Sequence, residues 1–261
     1  MQLHVFIDRC LLKLVGDSGL KFLNEISTNI IHPSNITYSC LLSSKGRFLC
    51  DFFVVPNNDN KDFVYIDIAK NFVELLAKKI NLYDIDEKFS IEILDNSLCC
   101  FSPAKIDERF LPDPRRQDYG FRAYLSKEEL DKLVFSSFDY ELYRLKSLVP
   151  EGHSDMIVDK SIILNFGFDN LNAISFTKGC YPGQELMART KHQGTIRQTL
   201  ALLQTRGALN IDKFSEVDFK TIASSVLSVK NNSNKDLDFG EETLVTILSC
   251  YENFALVLIK Q

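Results

Sequence analysis

The chain has 261 residues, a formal net charge of −5 at pH 7 and 45% hydrophobic residues. That is enough for one large domain or two moderate ones around a sizeable core, and it excludes a disordered chain. The acidic balance excludes a protein that grips nucleic acid through a broad basic surface. No apolar run approaches the roughly 20 residues needed to cross a bilayer, and MQLHVFIDRC shows neither a secretory apolar segment nor an Arg/Ser-rich transit pattern. The expectation is a soluble, unexported protein with no nucleic-acid or membrane partner, in a bacterial cytoplasm or, alternatively, a mitochondrial matrix.

In chain order, LHVFI and LLKLVG read as short strands. Gly16-Asp17-Ser18 then makes a turn before Leu20, Leu23 and Ile26, which recur at helical spacing. TYSCLL and RFLCDFFVV flank Ser43-Ser44-Lys45-Gly46 and predict a hairpin, FVYIDI a further strand, and AKNFVELLAKKI an amphipathic helix. FSIEIL and LCCF, separated by Asp95-Asn96-Ser97, predict a second hairpin. Asp113-Pro114-Arg115-Arg116 is a loop, because the residue before a proline is pushed out of helical geometry. After the strand FRAYL, Ser126 and Glu129 form a capping box for a helix expected from Lys127 to about Leu148, ended by Pro150 and Gly152. Residues 153–175 carry no clear period. A helix from Gln184 should end before Gly194, and TIRQTLALLQT, ASSVLSVK, TLVTILSC and FALVLIK then predict a small all-β unit.

The seven cysteines include no CxxC pair and no Cys/His set at zinc spacing, so a reducing compartment and no metal centre are expected. Cys99 and Cys100 are adjacent in a strand, point to opposite faces and read as small core residues. Cys180 differs. Pro182 suits a first helical turn and Gly183-Gln184-Glu185 opens a helix, so Cys180 lies just outside a helix N-terminus, where a thiolate is stabilised, with Lys178 placed to add to the effect. On spacing alone, inert packing is the commoner fate of such a cysteine. His192 is too far along the helix to serve as its base. Arg189, Lys191 and Arg197 present either a carboxylate clamp or a solvated face.

KGCYPGQE followed by MARTKHQGTIRQTL resembles the signature of the YgfZ/Iba57 family, folate-binding proteins of iron-sulfur cluster assembly and repair. That family is related in fold to the aminomethyltransferase (T-protein) of glycine cleavage. LKLVGDSGLKFLNEISTNI, SSKGRFLCDF, DPRRQDYGFR and YRLKSLVPEGHSD resemble further family segments. The resemblance implies an α+β fold of the aminomethyltransferase type: a ring of interrupted α+β domains over residues 1–194, with an inserted unit at about 34–112, and a small C-terminal β-barrel over 195–261. It implies tetrahydrofolate as cofactor, in a central pocket, and iron-sulfur client enzymes or assembly proteins as partners.

By the same resemblance, Cys180 and Lys178 carry the chemistry. Gly179, Gly183, Gln184, Glu185, Arg189, Arg197, Asn165, Arg115 and Arg122 line the ligand. Asn165 stands where relatives carry a glutamate, and one amide cannot reproduce a carboxylate's two-oxygen grip on paired N–H donors. Pterin affinity is then lower, or Asp169 substitutes. The expected role is a folate-binding maturation factor rather than a classical transferase. The alternatives are a tetrahydrofolate-dependent aminomethyltransferase and a folate-sensing module without chemistry.

Overall fold

Two short strands open the chain and enter different sheets: β1 (Gln2–Val5) and β2 (Arg9–Val15). The computed structural model describes residues 1–57, 62–194, 198–231 and 243–260. After β2, Gly16 at φ 142° and Ser18 at φ 65° make the expected turn into α1 (Gly19–Ile26), which buries Leu23 and Ile26. The strands β3 (Thr37–Leu42) and β4 (Phe48–Val55) form the predicted hairpin, with every residue of both buried. Next come β5 (Phe63–Ala69), α2 (Val73–Tyr83), which buries Leu76 and Ile80, and β6 (Ser90–Ile93). The first sheet has the order β3-β4-β5-β2-β6.

The second sheet adds β7 (Ser97–Ser102), β8 (Leu111–Pro112) and β9 (Phe121–Ser126) to β1. The strands β6 and β7 are therefore not the hairpin their short separation suggests. The first pairs with β2 and the second with β1 and β9. Non-local pairing wins because the opening strands diverge at the same place: Leu94 N–H donates to Leu11 O at 2.9 Å, and Phe6 N–H to Cys99 O at 2.9 Å. The chain thus crosses between sheets twice, side by side. Residues 34–112 are divided accordingly, β3 to β6 in the first sheet and β7 and β8 in the second. Cys99 and Cys100 do face opposite ways, into the main core and into a smaller one around Leu3, Phe110 and Leu125.

The capping box forms, Glu129 N–H donating to Ser126 Oγ at 3.2 Å and Ser126 N–H to Glu129 Oε2 at 2.8 Å. The helix it starts, α3 (Lys127–Asp131), stops far short of Leu148. Instead β10 (Ser136–Ser137) pairs in parallel with β1, and α4 (Tyr140–Lys146) begins anew with Asp139 as its cap. The break has a local cause: Val134-Phe135-Ser136-Ser137 is poor helix sequence beside an unpaired sheet edge, and Asp139 offers a second N-cap. The short α5 (Gly152–Asp155), a 3-10 turn at Ile163–Phe166 and α6 (Gln184–Gln193) follow, the last with the bounds predicted for it.

The strands β11 (Gln198–Thr205), β12 (Glu216–Asp218), β13 (Val226–Asn231), β14 (Leu244–Tyr251) and β15 (Phe254–Lys260) make a third sheet, with α7 (Phe219–Ile222) between β12 and β13. Its order is β12-β14-β15-β11-β13, so β12 and β13 are its edges among the described residues. Alternate residues face opposite cores: Leu200, Leu202, Leu256 and Leu258 pack on the N-terminal body, while Ala201, Leu203, Val257 and Ile259 pack on the sheet's own far side. Burial on both faces is why β11 and β15 read as almost continuously apolar.

Candidate functional site

The turn before α6 is locked by two glycines. Gly183 sits at φ 82°, and a Cβ there would lie 2.5 Å from Ser43 O and 2.8 Å from Gly46 Cα. Gly46, at φ 71° in the β3–β4 turn, would carry a Cβ 2.6 Å from Leu186 Cβ and 2.9 Å from Gly183 O. The hairpin tip and the helix entry therefore meet backbone to backbone, as only glycine allows. Gly179 has open space around it, with nothing within 4 Å of a built Cβ. Tyr181 and Met187 are buried, whereas Cys180 is exposed. Gln184 is half-buried and Glu185 exposed in the first turn of α6, where a carboxylate complements the helix dipole.

Lys178 takes partners other than the thiol. Its ammonium donates to the carbonyls of Asn24 at 2.6 Å, Ser27 at 2.7 Å and Asn29 at 2.8 Å, which engages all three N–H groups. Burial lowers its pKa to about 8. Of the other cysteines, Cys10, Cys40, Cys50, Cys99 and Cys100 are buried, and burial pushes each thiol's pKa up. Cys250 is exposed on β14 and is also raised by partial burial.

Arg115 and Arg122, expected at the ligand, lie in the interior. Arg115 forks onto Asp113, with Nε to Oδ1 at 2.9 Å and Nη2 to Oδ2 at 2.8 Å, and reaches Glu151 at 2.8 Å. Arg122 bridges Asp67 at 2.7 Å and Asp113 at 3.2 Å and lies 3.8 Å above the Phe53 ring. Arg9 closes the network onto Asp67 at 2.6 Å. Burial alone would raise the carboxyls of Asp67 and Asp113, but the guanidiniums outweigh it and hold both below the usual range. Glu151 is held low in the same way by Arg115 and Arg9, and it accepts the Tyr140 hydroxyl.

Sequence reasoning missed Arg9, Asp67 and Glu151. The DPRR and VPEG strings were the available signal, because each holds a charged residue of this cluster next to a backbone constraint. At Gly152 a Cβ would come within 2.1 Å of the buried Asp51 Oδ1. Both strings thus report a packed ionic core joining the first two sheets.

Asn165 and Arg189 do come together. A cleft of about 810 Å³ runs between the 3-10 turn, α6 and the third sheet, lined by Asn165, Phe166, Arg189, Gln198, Phe214 and Leu258 among others. Asn165 Nδ2 donates to Gln198 Oε1 at 3.1 Å, and neither Asn165 Oδ1 nor Gln198 Nε2 has a hydrogen-bond partner among the described residues. One acceptor and one donor therefore border the cleft side by side. Arg47, Lys160, Arg189 and Lys260 also line it, against Glu216. Asp169, the expected substitute for a glutamate, is engaged by Lys191 at 2.8 Å. Arg197 lies outside the described residues. Among the described residues no group of three or more His, Cys, Asp and Glu is placed to hold a metal ion, and no helix is long and apolar enough to cross a membrane.

No protein-family model matches the chain. Over 223 residues it is 30% identical to the iron-sulfur cluster assembly factor IBA57 homolog, mitochondrial, of Neurospora crassa, covering 74% of this chain and 51% of that protein. It is 29% identical over 225 residues to the mitochondrial iron-sulfur cluster assembly factor IBA57 of Homo sapiens, covering 74% of this chain and 63% of that protein. The chain spans about half the length of the first curated relatives it matches. Among solved structures, the glycine cleavage system aminomethyltransferase T from Bartonella henselae superposes with a TM-score of 0.58 over 100% of this chain and 85% of that one. Its 9% sequence identity makes that a likeness of fold alone.

Proposed function

The chain belongs to the YgfZ/Iba57 family, and from that membership we propose that it is an iron-sulfur cluster assembly factor acting through Cys180, with a folate-class ligand in the cleft beside α6. The observation that carries this reading is the placement of the signature thiol. Cys180 projects to solvent from a turn whose neighbours, Lys178 and Tyr181, are both anchored, while five of the seven cysteines are buried. A fixed, accessible thiol suits a step in which sulfur engages a partner's reactive group. The relatives' names carry a mitochondrial location, which favours the matrix alternative over a bacterial cytoplasm.

Tetrahydrofolate fits the residues of the cleft. The Asn165 oxygen and the Gln198 nitrogen offer an acceptor beside a donor, the complement of an amide-like pterin edge. Arg47, Lys160, Arg189 and Lys260 suit the carboxylates of a glutamate tail. When bound, the cofactor would supply a one-carbon carrier. This chain's own part is to orient the pterin with two amides and hold the tail. Arg115 and Arg122 have no place in that binding, being wholly buried in their own ion pairs. Aminomethyl transfer, the named activity of the structural neighbour, is disfavoured because Asn165 is an amide and Asp169 is held by Lys191.

The test is complementation. In cells lacking the protein, Cys180→Ser should fold and bind reduced folate yet fail to restore iron-sulfur enzyme activity. Full rescue by the serine variant at normal expression would overturn the thiol-dependent reading, and rapid release of methylene-tetrahydrofolate from an aminomethyl-lipoyl carrier would favour the transferase.

A further inference from the structure

The helix α1 ends without a basic residue in its last turn. Carbonyls from its last turn, its C-cap and the segment just after it converge instead on one ammonium distant in sequence: Lys178 Nζ donates to Asn24 O, Ser27 O and Asn29 O, all within 2.8 Å. A cation there complements the negative end of the helix. The approach is laced further back along the chain, where Thr28 Oγ1 donates to Ala173 O at 2.7 Å, Ser175 N–H to Thr28 O at 2.9 Å and Asn29 Nδ2 to Asn172 O at 2.6 Å. Lys178 is the last of these ties before Cys180. Its Nζ also lies 5.4 Å from the centroid of the buried Tyr181 ring, on the other side of the thiol.

We propose that Lys178 is a positioning residue: its ammonium clips the Cys180 turn to the C-terminal end of α1, and the clip needs all three of its N–H donors. The inference rests on the reading of Cys180 as the functional thiol, but the clip itself is measurable without it. A compact ammonium can point three donors at three converging carbonyls, whereas the planar guanidinium of arginine cannot. Lysine in this motif is thus explained by geometry rather than by charge next to sulfur. The group's pKa of about 8 has burial as its cause. Tyr181, whose phenol burial pushes up to about 12, is the titratable group packed on it, and no ion pair joins it to Glu25 on α1 among the described residues. Loss of one proton leaves two donors and turns a lone pair towards the third carbonyl.

The experiment follows backbone amides of residues 178–181 by NMR in the full chain carrying Cys180→Ser, so that thiol ionisation does not contribute. Their signals should move together with a midpoint near pH 8, and the same titration with Lys178→Met added should be flat. In the otherwise unaltered protein, Lys178→Met should speed amide exchange at Ser27, Ser175 and Gln184, whose N–H groups are hydrogen-bonded on the two sides of the clip, by about tenfold or more, out of proportion to any change in global stability. Lys178→Arg should fail to restore protection. Signals that do not titrate, unchanged exchange in Lys178→Met, or full protection in Lys178→Arg would each overturn the clip. The pH arm keeps Lys178 intact and holds if the substitutions prevent folding. If Cys180→Ser keeps the titration yet restores iron-sulfur enzymes in cells, the thiol reading fails and the clip stands.

Discussion

Gly46 and Gly183 meet across the hairpin tip and the entry to α6, each with positive φ and each filling the space a Cβ of the other would need. This contact explains why the SSKG turn and the KGCYPGQE string, 137 residues apart between the two glycines, belong to one structural unit. An alanine at either position meets backbone atoms, which cannot rotate away as a side-chain end could.

Gly46→Ala and Gly183→Ala are each expected to destabilise the protein by about 2–3 kcal/mol, from left-handed strain plus displaced backbone. Because both break one contact, the double variant should cost less than the sum. Gly179→Ala, in open space, should stay within about 0.5 kcal/mol. Denaturant unfolding of the three variants checks this, and a neutral Gly183→Ala would refute the interlock.

A different kind of cost attaches to the buried charges. Arg122→Met removes a cation shared by Asp67 and Asp113 and leaves two buried carboxylates undercompensated, so a loss of about 3–5 kcal/mol is expected. Arg122→Lys should recover only part of it, since one ammonium cannot reach both acids with the fork's geometry. Folate affinity of whichever variant folds should be unchanged, which calorimetry at matched folded fraction would show.

Acid sensitivity follows from the same cluster. The carboxyls of Asp67, Asp113 and Glu151 are held below their unfolded values. Their contribution is therefore fully present above about pH 4–5, where unfolded carboxyls ionise, and is lost as pH falls further. Asp51 opposes this, because burial raises its carboxyl even though Tyr38 O–H, which donates to it at 2.7 Å, acts the other way. Unfolding free energy should be steady near neutrality and drop steeply below about pH 4. Arg9→Met should flatten the acid limb, and an unchanged limb in that variant would show that ion pairing does not set it.

How far the site was legible depended on the range of the interaction concerned. Local rules placed α6 between Gly183 and Gly194, set the Ser126–Glu129 capping box, and turned Cys99 and Cys100 to opposite cores. They failed where a distant partner decided. The segment Val134–Phe138 was drawn out beside β1, and LCCF left its neighbour FSIEIL for the opening strand. The family resemblance assigns the arginines of the DPRR loop and FRAYL to the ligand, and only the fold shows the three buried acids, Asp67, Asp113 and Glu151, that accept them. Lys178 was placed beside the thiol by sequence distance, which carries no information about the carbonyls of α1.

The cleft gives the last expectation. Arg189 is exposed on α6 with no ion-pair partner among the described residues, so Arg189→Ala should leave stability within about 0.5 kcal/mol. If it holds a folate carboxylate through a charge-assisted bond worth about 1.5–3 kcal/mol, affinity should fall by about ten- to a hundredfold. Asn165→Glu acts at the other end. The Gln198 amide can rotate to donate to the new carboxylate, which then accepts from paired N–H groups of the pterin, so binding should tighten. Calorimetry with reduced folate separates the outcomes: an unchanged Arg189→Ala would move the tail elsewhere, and weaker binding in Asn165→Glu would show that the amide pair itself reads the ligand.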